Sequence, residues 1–163
     1  MARRTCRPTP TIHRTLTPLR DHCPACEQSL WVAYHNSRVV TTLDGVTHLT
    51  LKIRRCRNRA CVRFRRPYRP EAEGAIALPK GEFGLDVNAF VGQRRFRRHE
   101  SIPEIHAALR QRGVMVAERT VTHLLARYEE LVALHLADPE RLHPRLHPQG
   151  RVILALHGLQ PAV

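Results

Sequence analysis

The chain has 163 residues, with 27 Lys plus Arg against 14 Asp plus Glu, a formal net charge of +13. No stretch reaches the ~18–20 apolar residues of a membrane span, and the N-terminal MARRTCRPTP lacks the apolar core of a secretory signal. A charge carried almost wholly by arginine favours a polyanion, because guanidinium forks onto phosphate oxygens and guanine edges. A membrane surface is the weaker alternative, since no segment is both basic and strongly amphipathic along its length.

Residues 1–22 hold prolines, threonines and scattered arginines without periodicity, which reads as a disordered basic arm. Cys6 in that arm reads as a bystander thiol. From 23 to 64 the pattern is short strands and turns. Residues 29–40 are rich in Trp, Tyr and Val, and Asp44-Gly45 supplies a hairpin turn. Thr47, Leu49, Leu51 and Ile53 then alternate against His48, Thr50 and Lys52.

Without a signal peptide, cysteines point to a reducing compartment and to metal before disulfides. Cys23-Pro-Ala-Cys26 and Cys56-Arg-Asn-Arg-Ala-Cys61 are two close pairs separated by 29 residues. Each pair suits a tight turn that aims two sulfurs at one point, and a hairpin between them brings the turns together. That is the build of a zinc ribbon, with Cys23, Cys26, Cys56 and Cys61 as ligands of a structural Zn²⁺. Four buried thiols packing as small hydrophobes, or a redox pair at Cys23 and Cys26, are the other readings. Lys52, Arg54, Arg55, Arg57, Arg59, Arg63, Arg65, Arg66 and Arg69 crowd the second pair. Phosphates placed among them would relieve the mutual repulsion.

Residues 65–82 are rich in Pro and Gly and read as a linker. Three helices are expected over 83–136. The first has Asp86 as N-cap and a cationic end at Arg94, Arg95, Arg97 and Arg98. The second opens on the capping box Ser101-Ile-Pro-Glu104 and stops at Gly113. The third runs from about residue 117 to 135, with Val121, Leu124, Leu125, Tyr128, Leu131 and Val132 at helical spacing. Two helices joined by a Gly-containing turn match a helix-turn-helix, whose second helix offers its N-terminal side chains to base edges. Those would be Glu118, Arg119, Thr120, Thr122, His123 and Arg127. A plain three-helix bundle gives the same pattern. Residues 137–150 form a second Pro- and His-rich connector, and 151–163 begin an apolar strand, Val152–Leu156. The fold class expected is a small multi-module α+β chain.

This order of parts, a C-P-x-C ribbon closing at RRCRNRACVRF, then SIPEIHAALRQRGVMVAERTVTHLLARYEEL, then RVILALHGLQP, resembles the N-terminal half of bacterial insertion-sequence transposases. The resemblance covers about residues 23–161. It implies a ribbon and helix-turn-helix that bind duplex DNA at the element's terminal inverted repeats, followed by an RNase H-like catalytic domain. In such a domain the first strand would carry a metal-binding aspartate where this chain has His157. The expectation is therefore a cytoplasmic, nucleoid-associated DNA-binding fragment without catalysis, with residues 151–163 as a truncated strand. Homo-oligomers, or mixed oligomers with intact transposase, remain open. A stand-alone transcriptional regulator and an RNA-binding ribbon protein are the rival functions.

Overall fold

The computed structural model describes residues 9–138, 140, 143–144 and 147–149. Cys6, the apolar run 152–156 and His157 lie outside the described residues. The architecture grows from one long hairpin. Strand β2 (Leu30–Thr42) pairs antiparallel with β3 (Gly45–Cys56) through the two-residue loop Leu43-Asp44. Gly45 has φ 137°, and a Cβ there would meet Thr11 Oγ1 at 2.8 Å, so the turn and the neighbouring strand both require glycine. The alternation expected in β3 is present: Thr47, Leu49, Leu51 and Ile53 are buried, and the residues between them are half-buried.

The N-terminal segment departs from the expected disordered arm. Ile12–Leu16 forms β1, which pairs parallel with β3 from Ile12↔Thr47 to Leu16↔Leu51, giving the strand order β1-β3-β2. A polar, proline-rich stretch hides this strand from pattern reading, because only Ile12 and Leu16 are half-buried and only Leu16 packs on the core.

Residues 65–82 likewise do not behave as a free linker. Tyr68 exchanges two backbone hydrogen bonds with Arg54, at 2.9 and 3.1 Å, which extends the sheet edge. Helix α1 (Ala72–Ile76) then covers the sheet face, with Ala77 and Ile76 packed on Val40, Leu49, Leu51 and Ile53. Buried Glu73 anchors it. Glu73 accepts from Arg38 at 3.2 Å and from Arg69 at 3.0 Å, while Arg38 also donates to the Leu78 carbonyl at 3.0 Å and to the Gly81 carbonyl. Arg38 lies in a strand pattern that says nothing of this role.

Three helices follow: α2 (Leu85–Arg98), α3 (Ile102–Gln111) and α4 (Glu118–Leu136). Their core is Val87, Phe90, Val91, Ile105, Ala108, Leu109, Val114, Val121 and Leu124, with Leu43 joining from the hairpin tip and Phe83 from the segment before α2. The capping box at Ser101 and Glu104 forms as expected, and Gly113 (φ 79°) ends the turn after α3. Gly84, not Asp86, caps α2. Asp86 is used otherwise: its carboxylate accepts the Leu43 N–H at 2.7 Å and the Val87 N–H at 2.9 Å. With Thr41 N–H on the Glu82 carbonyl and Gly84 N–H on the Thr41 carbonyl, both 2.8 Å, this fastens the helices to the hairpin tip. At Gly92 a side chain would run into the Tyr128 ring, so α2 and α4 cross closely there.

Candidate metal centre and nucleic-acid interface

At the open end of the hairpin, opposite the tip, the four cysteines converge. Cys56 closes β3 and pairs with Leu30, so the second cysteine pair sits where the strands end. The first pair is held there by Cys23 N–H on the Gln28 carbonyl at 2.9 Å and Glu27 N–H on the Cys23 carbonyl at 2.8 Å, with Glu27 at φ 55°. In the second pair the Asn58 side chain accepts the Ala60 N–H at 3.0 Å, which shapes the longer turn.

The Sγ atoms of Cys23, Cys26, Cys56 and Cys61 all lie within 4.8 Å of one another, with Cys23–Cys61 at 3.7 Å and Cys26–Cys56 at 3.5 Å. These spacings are too long for disulfides, and all four are free thiols. They match the edge of a tetrahedron, about 3.8 Å when the centre is ~2.3 Å from each sulfur. The cluster could hold a metal ion. Leu30 and Tyr68 pack beside it, a lining far too small to act as a hydrophobic core. The donor set therefore fits a metal better than apolar packing.

Backbone N–H groups aim at the sulfurs. Those of Ala25 and Cys26, helped by the Tyr68 hydroxyl 3.8 Å away, bring the Cys23 thiol down to about 6. Burial pushes Cys56 up to about 12. For Cys61 the Arg63 N–H hydrogen bond lowers the thiol, but burial together with Cys26 and Cys23 outweighs that bond and raises it. At neutral pH Cys23 is then a thiolate while Cys56 and Cys61 keep their protons, which an incoming metal displaces. Metal loading is expected to release at least two protons between pH 7 and 8, so apparent affinity rises at least about 100-fold per pH unit there. Below pH 6 Cys23 adds one more proton. Proton release in weakly buffered solution measures this; fewer than one proton per metal would refute it.

The basic residues divide into engaged and free. Arg54 pairs with Asp21, Arg94 with Glu100 at 2.6 Å, and exposed Arg127 with Glu130 at 2.6 Å. Arg55 lies 5.1 Å over the Tyr34 ring and Arg57 5.7 Å over Trp31. Among the described residues no carboxylate pairs with Arg57, Arg59, Arg65, Arg66, Arg95, Arg97, Arg98 or Arg119. All eight are exposed, whereas Arg63 is half-buried.

Arg119, Thr122 and His123 are exposed on the first turns of α4, and Thr120 is half-buried. Residues that sequence reading overlooked hold the α3–α4 turn. His106 donates from Nε2 to the Val116 carbonyl at 2.9 Å, and its Nδ1 lies 3.7 Å from Glu118. No spacing signal marks His106. Among the described residues no helix is long and apolar enough to cross a membrane.

No family model, curated protein or solved structure matches the chain. The functional reading therefore rests on the residues and their geometry.

Proposed function

We propose that the chain is a duplex-DNA-binding module stapled by one structural zinc ion, of the kind that opens insertion-sequence transposases. The observation that carries the proposal is the set of exposed arginines without carboxylate partners, on the cysteine turns, at the end of α2 and at the start of α4. Such charges gain from releasing counterions condensed on DNA. Zinc is the metal proposed because four thiolates at tetrahedral spacing suit it, and they leave no position for water or substrate. Within a helix-turn-helix reading of α3 and α4, Arg119, Thr122 and His123 would face base edges, while Arg95, Arg97 and Arg98 would meet the phosphate backbone. The resemblance of the motif order to that of transposases makes terminal inverted repeats the proposed target.

Duplex binding measured by anisotropy across a salt series tests the proposal. With five or more phosphate contacts, log K against log salt should fall with a slope of about −4 or steeper. Arg97→Ala should weaken all sequences alike and make the slope shallower by about 1. Arg119→Ala should cost about 1–3 kcal/mol on the preferred site and flatten preference at one position. Salt-independent binding would refute the reading.

A further inference from the structure

The metal end of the hairpin carries the chain's single tryptophan, Trp31, and Tyr34, both 41% exposed. Residues three apart on a regular strand face opposite sides. Here they share one side. Trp31 pairs with Arg55 and Tyr34 with Ile53, and the register shift between Val32 and Tyr34 supplies the extra residue that turns both rings to the same face. Without that bulge, one ring would lie on the opposite face of the sheet.

Two arginines rest on the rings. Arg55 rests over Tyr34, and its Nε is buried without a hydrogen-bond partner; Arg57 rests over Trp31. Among the described residues neither arginine pairs with a carboxylate.

We propose that Trp31 and Tyr34, with Arg55 and Arg57, form a stacking platform for unpaired bases of single-stranded DNA. Their partners Ile53 and Arg55 are two residues apart on β3, so the rings sit about 7 Å apart along the sheet. Duplex DNA stacks successive bases about 3.4 Å apart along each strand and hides their faces. Only an extended strand with splayed bases offers one face per ring at this spacing. The guanidinium groups add cation–π contact with the rings and charge for the phosphates between bases. The platform lies at the opposite end of the hairpin from the α2–α4 unit. It stands or falls separately from duplex reading by α4.

Because Trp31 is the only tryptophan, its fluorescence reports this surface directly. Titrating the full chain with oligo(dT) should give saturable quenching. Trp31→Leu, which keeps an apolar side chain but removes the ring face, should weaken oligo(dT) binding by about 5- to 100-fold. Trp31→Phe should restore most of that loss, and duplex affinity and metal content should stay unchanged in both variants. Tyr34→Leu should weaken oligo(dT) binding while leaving Trp31 as the reporter. Unquenched fluorescence would overturn the proposal, and so would an equal loss on duplex DNA. Tighter binding to oligo(rU) would assign the platform to RNA and overturn the DNA reading. A fluorescence change on raising protein concentration alone would assign the face to a second copy of the chain, with the same consequence.

Discussion

Cys56→Ser is expected to abolish stoichiometric metal binding and to melt the open end of the hairpin. Cys56 is 1% exposed and serves two purposes: it supplies one sulfur of the cluster and it ends β3 opposite Leu30. A serine hydroxyl is a poor zinc ligand, so three thiolates would hold the ion weakly or not at all. Structural zinc contributes about 10–16 kcal/mol in small zinc-finger peptides, comparable with the net stability of a whole domain. Nothing else near the cluster substitutes for it, since Leu30 and Tyr68 are its main apolar neighbours. Metal content and thermal unfolding, each with and without chelator, are the measurements. Wild type should bind one equivalent of zinc and lose its melting transition, or much of it, on chelation. Cys6→Ser should change neither. A Cys56→Ser protein that keeps a full equivalent and an unshifted transition would remove the basis for a metal centre.

Glu73→Ala should cost about 3–5 kcal/mol, enough to lower the melting temperature by about 10 °C. The side chain of Glu73 is 10% exposed and that of Arg38 is 17% exposed, so water screens the pair poorly. Removing the carboxylate leaves the Arg38 guanidinium buried against the Leu78 and Gly81 carbonyls with no counter-charge. The energetic damage is that uncompensated charge more than the lost bond. The double variant Arg38→Met with Glu73→Leu should therefore be more stable than Glu73→Ala alone. If the double variant is the sum of its single losses, the pair is not coupled and α1 is held by its apolar contacts instead. Duplex binding should survive in the double variant, because neither residue reaches the arginines proposed to meet DNA.

Much of the local architecture was legible because it depends on neighbours in the chain. The alternation from Thr47 to Ile53 and the Ser101 capping box are contacts between residues a few positions apart, whereas the hairpin loop falls at Leu43-Asp44, one residue before the expected Asp44-Gly45. Also legible were the helices over 83–136, whose apolar spacing found Val121 and Leu124 as buried positions. The cysteine cluster was legible for a related reason: two close pairs can meet across one hairpin, and only their convergence within 4.8 Å needed coordinates.

The misses share a cause as well. In sequence β1 resembles a disordered arm because, of its five residues, only Ile12 and Leu16 are half-buried, too few for a pattern. The 65–82 segment resembles a linker in sequence because its prolines and glycines describe backbone preference, while Glu73 finds Arg38 from 35 residues away. Asp86 looked like a cap, since no local rule could show that Leu43 would offer it an N–H across the hairpin tip.

The amino-acid sequence by itself thus determined the cationic surface, the four candidate metal ligands and the three helices, all set by composition or by spacing within one element. Only the tertiary structure decided which arginines are spent on Asp21, Glu73 and Glu100 and which stay free. It also decided that a one-residue bulge puts Trp31 and Tyr34 on one face. Pairing of charges and register of strands depend on groups distant in the chain, and distance in sequence carries no information about distance in space until the hairpin closes.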